Sequence, residues 1–561
     1  MRILQFDVSR IEYALIKPES NVYEESSIMH ESIDNAIALF VCVEKGDTEN
    51  EAVNAVNDAM GFAEKQKVPR LVLYPFAHLS SNLAAPEGAM KLFRRMVEIA
   101  KKGSIEVHAA PFGWNKQLSI SVKGYPFAEQ SRSYGKHVSK AERVSERIDT
   151  SIVKKSDWSA LPENDHRNIG EKLDLYSFQE VSPGMVYWHP NGYIIYSELV
   201  KFMREKEAEY DYQEISTPEI ANVALWKVSG HLEHYNKDMF IFDSNIGRAG
   251  LKPMNCPSTM LIYKSRKWSY KELPFRTAIF DKLHRSELSG VATGLLRVKE
   301  MTQDDGHIFI REDQIQSEIT SLLRMIGEVY GTFGMKYSAK LSTMPDDHMG
   351  DEKQWEKATE ALKAALDANG MGYVIKEKEG AFYGPKIDFD VFDSQGRAWQ
   401  CATIQLDYQL PRRFKLSYTD KDGRQRTPVV VHRAILGSLE RFIGVLVEHY
   451  IGKFPTWLAP VQAKVIAVSE KTNNYAEQVH ALLKKAKVRS RCDTSDKTIN
   501  YKIREAISER LPYIIILGEK EREKGTITVK SRSGVQKQMG IKEFESMIKA
   551  EIESRSNALS F

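Results

Sequence analysis

The sequence predicts a multidomain protein of mixed α/β and α+β architecture, and three stretches carry that reading. Near the C-terminus AKVIAV, NYAEQVHALLKKAK, KVRSRC, INYKIREAISER and PYIIILG alternate strand and helix, the pattern of a small doubly wound domain. At the start, strand-like ALFVCVE and RLVLYPF flank a helical pattern from Glu51 to Lys65. Between these ends, FRTAIFDKLHRSELSGVATGLLRVKEMTQDDGHIF reads as two alternating strands closed by a loop. VVVHRAILGSLERFIGVLVEHY then reads as an apolar strand ending at His432, a Gly-Ser break at Gly437 and a helix.

In chain order, residues 1–138 form a first α/β unit. After the Glu51–Lys65 helix a second runs from Ala85 to Lys101, and HAAPFGWN with QLSISVKG suggests a terminal hairpin. Residues 139–164 (SKAERVSERIDTSIVKKSDWSALPEN) are polar and charge-mixed, the composition of a linker. A large mixed domain spans 165–455, and the alternating domain spans 456–561.

The length of 561 residues allows three or four domains. With 28% charged residues and a net charge of only +3, no overall basic field points to nucleic acid, so any RNA contact is a local patch. Four cysteines (Cys42, Cys256, Cys401, Cys492) without a CxxC pair fit a reducing compartment. MRILQFDVSRIEYALI lacks a basic n-region and a long apolar core, and no apolar run approaches membrane-spanning length. A soluble, cytoplasmic protein without signal peptide or membrane contact is expected.

The loop-closed strands present Arg285, Glu287 and Arg297 from one small surface and run into Gln303, Asp304, Asp305 and His307. Arginine forks grip phosphate oxygens and a glutamate accepts from an exocyclic amine, so the set suits a polyphosphate nucleotide. Such a hairpin alone is most often a solvated ribbon. Cys256, His307 and His432 are far apart in sequence, and spacing alone would read them as core residues.

Taken together, KPMNCP at Lys252–Pro257, HRSE, TQDDGH and HRAILGSLER resemble a class II aminoacyl-tRNA synthetase, and closely the threonyl-tRNA synthetases. The resemblance implies a class II antiparallel-sheet catalytic core over 165–455 and an α/β anticodon-binding domain over 456–561. It implies that Arg285 and Arg441 are catalytic, with Arg285 on the α-phosphate and the amino-acid carboxylate. Glu287 would accept from the adenine amine, Arg297 would hold the γ-phosphate, and Arg441 would stack on adenine. Cys256, His307 and His432 would hold one Zn²⁺ per subunit, and Mg²⁺ would accompany ATP. Asp305 and Gln303, with Tyr383 and Gln405, would bind L-threonine, whose hydroxyl valine lacks.

By the same resemblance, YPFAHLSS, APFGW and VKGYPFAEQSR mark residues 1–138 as an archaeal-type editing domain, related to D-aminoacyl-tRNA deacylases, that hydrolyses seryl-tRNA(Thr). Lys123 would orient the scissile ester, His78 would shape the pocket, and Glu129 would hold the lysine or the substrate amine. Leu199–Pro218 resembles the family's first motif, which implies a homodimer. INYKIREA sets Lys502 and Arg504 beside Asn500 and Tyr501, with Lys530 and Arg532 on a later strand-loop. These are open candidates for tRNA(Thr) contacts.

Four departures stand out. Met301 occupies a usual phenylalanine position against adenine, Ser258 and Thr259 replace the glycine and histidine of NCPGH, and Ala402 adds a methyl group near the substrate. They leave two other readings open: a hydrolase of mischarged tRNA carrying a degenerate ligase body, and a synthetase-like RNA-binding protein without catalysis.

Overall fold

The computed structural model describes every residue except 20, 81, 126–127, 135–157, 159–160, 288–293 and 394–395, so most of the expected linker lies outside the described residues. The chain forms two compact units, Met1–Asp149 and Thr150–Phe561. The expected division near residue 455 falls inside the second unit. Polar contacts tie its C-terminal sheet to what precedes it: Arg489 reaches Glu198 at 2.7 Å, and Arg532 donates to the Phe454 carbonyl at 2.9 Å.

Among the described residues, the first unit has a six-stranded sheet and two α-helices. Its strands are β1 (Arg2–Pro18), β2 (His30–Cys42), β3 (Arg70–Pro75), β4 (Glu106–Ala109), β5 (Trp114–Val122) and β6 (Glu129–Ser133). The long β1 pairs antiparallel with β2, β5 and β6, while β3 and β4 continue the sheet in parallel from β2. Alternation in β2 feeds two cores. Ile37, Leu39 and Val41 pack toward helices α1 (Glu49–Gln66) and α2 (Pro86–Ala100), and Ala36, Ala38 and Phe40 pack on the other face. A capping box between Thr48 and Glu51 starts α1.

The second unit opens with α3 (His166–Lys172), α4 (Pro190–Glu209) and α5 (Cys256–Lys264). A nine-stranded sheet follows. It contains β7 (Phe275–Ile279), β8 (Lys282–His284), β9 (Glu300–Ile310), β10 (Lys336–Ser342), β11 (Lys386–Phe392), β12 (Ala398–Asp407) and β13 (Val429–Ser438). Their central order is β10–β11–β12–β13–β9–β7, with β8 paired to β9 and the short strands Tyr373–Lys376 and Gln213–Glu214 at the two edges. Helix α6 (Ile315–Thr332) lies between β9 and β10 in sequence and, with α7 (Leu439–His449), shares the large apolar core beneath the sheet. β13 is buried along nearly its whole length, with apolar VVV and AIL on either side of the buried His432 and Arg433, and it continues past His432, where the sequence predicts its end, through Ser438.

The C-terminal part has a five-stranded sheet of β14 (Ala463–Ala467), β15 (Ser490–Asp493), β16 (Tyr513–Leu517), β17 (Thr526–Ser531) and β18 (Gln536–Gly540). It is covered by α8 (Asn473–Lys485), α9 (Ile499–Ser508) and α10 (Ile541–Glu553). The alternation expected from sequence is present, but its last two strands pair antiparallel. Two candidate RNA contacts are engaged within the fold, Lys502 buried and Arg532 half-buried. Lys502 is 2% exposed, with Nζ donating to the Ala467 carbonyl at 3.0 Å, and Arg532 caps the Phe454 and Arg510 carbonyls. Tyr501 and Arg504 remain exposed.

Across β9 and β13, Gly306 faces Arg433, whose side chain is fully buried and donates to Glu207 of α4 and to the Asp304 carbonyl. A Cβ at Gly306 would lie 2.3 Å from Arg433 Nε. Gly306→Ala should therefore lower stability by about 1–3 kcal/mol through overpacking. The check is a lower urea midpoint at unchanged slope.

Candidate active site and editing site

Register builds the centre of the second unit. His307 of β9 faces His432 of β13, and His432 faces Gln405 of β12, so these side chains form one row across adjacent strands. The two imidazoles meet edge to face with ring centroids 4.9 Å apart. Cys256 enters from the first turn of α5. One ligand atom from each of Cys256, His307 and His432 lies within 4.8 Å of the others, and all three residues are buried. His307 Nδ1 is buried without a hydrogen-bond partner, while His432 Nε2 lies 2.9 Å from Asp407 Oδ2. Donation from Nε2 to that carboxylate leaves the lone pair on Nδ1, the arrangement that orients a ligating imidazole.

Burial, followed by Asp305 and Asp407, pushes the Cys256 thiol well above its usual range, and burial holds His307 well below its own. A cation among them would favour the thiolate and leave the imidazoles neutral as ligands. A thiol, two imidazoles and an unsatisfied ring nitrogen fit a zinc ion.

Along β9, Gln303, Asp305 and His307 share the site face, and Asp304 points to the opposite side. There its carboxylate accepts from the amides of Ile435, Leu436 and Gly437 at 2.9–3.2 Å. Burial pushes Asp304 up to about 7 even so. Asp305 accepts from Asn255 Nδ2 at 2.7 Å. Tyr383 OH donates to Gln405 Oε1, and its ring lies 5.2 Å from that of His432.

Arg285 follows β8, and its Nε points at the Pro253 carbonyl at 3.4 Å. Arg297 pairs with Glu287 at 2.8 Å. Arg441 lies in the first turn of α7 and donates from Nε to the Leu296 carbonyl at 2.9 Å and from a terminal nitrogen to the Gln400 carbonyl at 3.2 Å. Burial above all, with Arg285 and Arg297 adding repulsion, lowers Arg441 from the ordinary arginine range. These cations are thus near enough to act on one another, and an anionic ligand would relieve their repulsion.

The departures resolve unevenly. Met301 packs with Leu283 and Val298 against Phe178 and Val186, so its thioether fills a protein slot. Thr259 is buried and donates to the Asn255 carbonyl at 3.2 Å, and Ser258 is also buried. The expectation of an added methyl near the substrate is corrected. Ala402 is fully buried and belongs to the large core, whereas Thr403, Gln405 and Asp407 alternate toward the site.

Three residues at this centre escaped the sequence reading. Asp407 could have been found, being two positions beyond Gln405 on the same strand face, and Asn255 adjoins Cys256. His231 opens the one-turn helix His231–His234 just after Gly230, where no periodicity marks it; its Nε2 lies 3.8 Å from Cys256 Sγ.

In the first unit, Lys123 lies just past β5. Its Nζ is 2.8 Å from Asp7 Oδ1 and donates to Asn35 Oδ1 at 2.7 Å. Tyr125 OH donates to the other oxygen of Asp7. Glu129, expected to hold the lysine or the substrate amine, is exposed at the start of β6, and it is the buried Asp7 of β1 that pairs with the lysine, brought opposite it by the bulged β1–β5 register. His78 is exposed in the turn Ala77–Leu79, with its ring edge on Phe76 at 5.2 Å.

The comparisons agree with this geometry. Residues 1–134 match the archaea-specific editing domain of threonyl-tRNA synthetase, 238–450 the class II tRNA synthetase core domain of the G, H, P, S and T types, and 462–551 the anticodon-binding domain. A threonine–tRNA ligase of Thermotoga maritima is 45% identical over 448 residues, covering 78% of this chain and 70% of that protein. The threonine–tRNA ligase catalytic subunit of Sulfurisphaera tokodaii is 49% identical over 401 residues, 71% of this chain and 74% of its own length. A crystal structure described as the RNA-binding domain of threonyl-tRNA synthetase from Cryptosporidium parvum is 42% identical, with a TM-score of 0.67 over 71% of this chain and 99% of that one. The chain belongs to the threonyl-tRNA synthetase family, with a class II core, an archaeal-type editing domain and an anticodon-binding domain.

Proposed function

We propose that the protein ligates L-threonine to tRNA(Thr) through a threonyl-adenylate and hydrolyses seryl-tRNA(Thr) in its first domain. The observation that carries this reading is the Cys256, His307, His432 cluster adjoining a group of interacting arginines. It supports a site for a hydroxylated amino acid beside a nucleotide. The domain limits 1–138, 165–455 and 456–561 are part of the proposal. So is a homodimer built on α4 and the short edge strand that follows it.

Catalysis is an in-line displacement. The threonine carboxylate attacks the α-phosphorus of ATP, supplied with Mg²⁺, and pyrophosphate leaves. A terminal hydroxyl of the tRNA then attacks the carbonyl carbon, and AMP leaves. Arg285 neutralises charge at the α-phosphate and carboxylate, Arg297 at the γ-phosphate, and Arg441 grips phosphate while stacking on adenine. Glu287 accepts from the adenine amine. Cys256, His307 and His432 would hold Zn²⁺, which when bound would supply a Lewis acid for an amine and a β-hydroxyl. Asp305, oriented by Asn255, accepts from the threonine hydroxyl, and Gln303, Tyr383 and Gln405 close the pocket. A site built for that hydroxyl rejects valine strongly and serine weakly. In the first domain, Lys123, fixed by Asp7 and Asn35, orients the mischarged ester, and His78 borders the amino-acid pocket.

Cys256→Ser, His307→Ala or His432→Ala should lose bound zinc and threonine-dependent pyrophosphate exchange together, as read by metal analysis and the exchange assay. Full exchange in metal-free protein would overturn the zinc assignment, and no exchange in the zinc-loaded wild type would favour the hydrolase reading.

Removing Arg441 tests the nucleotide side separately. Arg441→Ala should lower pyrophosphate exchange by about 10²-fold or more while metal content is unchanged, because a preorganised charge is lost and no ligand is.

Lys123→Ala in the full chain should leave threonine charging near wild type and let seryl-tRNA accumulate. The check follows preformed seryl and threonyl esters side by side; unchanged seryl hydrolysis would remove Lys123 from the editing site.

A further inference from the structure

The strongest unassigned cluster joins three parts of the second unit that are distant in sequence. His166, the first residue of α3, is 1% exposed. Its Nδ1 lies 2.9 Å and its backbone N 3.1 Å from Oε1 of Glu448 near the end of α7, while its Nε2 accepts from the Leu295 amide at 3.1 Å. Only the neutral Nδ1–H tautomer serves both partners, since the carboxylate needs a donor and the amide needs a lone pair.

The turn Gly294–Leu296 is thereby fastened to one imidazole. Its last carbonyl, on Leu296, receives Arg441 Nε at 2.9 Å, and Arg297 follows at the next position. The close packing is written into two glycines. A Cβ on Gly294, whose φ is +53°, would lie 2.3 Å from His166 Nε2. A Cβ on Gly444 of α7 would lie 3.1 Å from Leu296 Cδ2 and 3.2 Å from Leu295 Cβ.

Asp165, His166 and Glu448 are near enough to hold a metal, but guanidinium groups already neutralise the carboxylates. Asp165 pairs with Arg167 at 2.8 Å, and Glu448 pairs with Arg397. The carboxylates are thus paired within the group, and His166 Nε2 connects it to the Gly294–Leu296 turn.

We infer that His166, held by Glu448, is a positioning residue for the ATP site: it anchors the turn that carries Arg297 and holds Arg441 in place. The inference rests on the assignment of those arginines to ATP. Losing the imidazole acceptor leaves the buried Leu295 amide unsatisfied and frees the turn.

The test is ATP-dependent pyrophosphate exchange by the full chain, with KM measured for ATP and for threonine in His166→Asn and His166→Gln. Asparagine offers polar atoms near the Nδ1 position only, whereas glutamine reaches toward Nε2. His166→Asn should raise the ATP KM by about tenfold and leave the threonine KM within about twofold, a loss consistent with one unsatisfied buried amide. His166→Gln should recover most of it. Equal effects on both KM values, or the same loss in both variants, would overturn the inference. Ligand-induced thermal shifts give a second reading on whichever variant folds. A smaller increment from ATP with an unchanged increment from threonine supports the anchor, and wild-type increments from both overturn it. Arg441→Ala run alongside separates the two levels. If it abolishes exchange while His166→Asn is silent, only the anchoring role fails. If Arg441→Ala is itself silent, the ATP-site assignment fails and the inference falls with it.

Discussion

The register of β9, β13 and β12 is the constraint on which the rest of the second unit depends. Side chains alternate across a strand, so slipping β9 by one residue would turn His307 and Asp305 into the apolar core and bring Asp304 and Gly306 to the site. The sheet resists that slip on both faces. On the helix side, Asp304 ties three consecutive amides of β13, and Arg433 is locked between Glu207 and the β9 backbone. On the site side, His432 is held by Asp407. Buried polar groups are costly unless partnered, so a network with this many partners is satisfied in one register and broken in its neighbours.

That register has an electrostatic consequence. The site gathers Arg285, Arg297 and Arg441 near a half-buried surface, with Glu287 already committed to Arg297. Arg441 is oriented by backbone carbonyls, the Leu296 and Gln400 oxygens, and not by a carboxylate. Its charge is therefore positioned without being neutralised and stays available to an anion. For in-line transfer at phosphorus, which requires placement and charge compensation and no covalent intermediate, such preorganisation is the catalytic resource that matters.

Much of this was legible in the sequence, because the informative residues lie on strands with a period of two. In TQDDGH a period of two puts Gln303, Asp305 and His307 on one face, whereas HRAILGS reads as a strand end at His432 with a break at Gly437, and β13 instead runs from Val429 through Ser438. What alternation cannot show is which opposing residue completes a contact. Asp7 was invisible as the partner of Lys123 because β1 and β5 are far apart in sequence and their pairing carries a bulge after Val8. Ala402 was misplaced for a related reason: adjacency to a pocket strand says nothing about which face a methyl takes. Lys502 looked like a surface cation on an amphipathic helix, yet α9 turns it inward onto the Ala467 carbonyl. The tie from α3 to the Gly294–Leu296 turn spans 129 positions and involves one histidine with no repeating pattern around it.

The proposed division of labour follows from how little a methyl group can contribute. A pocket that selects an amine and a neighbouring hydroxyl treats serine as an incomplete threonine, and the missing methyl is worth only about 1–3 kcal/mol of discrimination. Enlarging that difference within the synthetic site would require a cavity that penalises the smaller side chain, and a binding surface does this poorly because the smaller ligand always fits. A second site reverses the geometry, since a pocket sized for serine excludes the added methyl by steric overlap, which rises far more steeply than the loss of contact. Lys123 suits such a site in the form the first unit gives it: a cation just past the end of β5, fixed between the buried carboxylate of β1 and an amide of β2, can hold an ester in one orientation. Hydrolysis then needs only a water placed against that ester. Selectivity comes from which esters can enter, and the two pockets together discriminate by the product of their separate ratios.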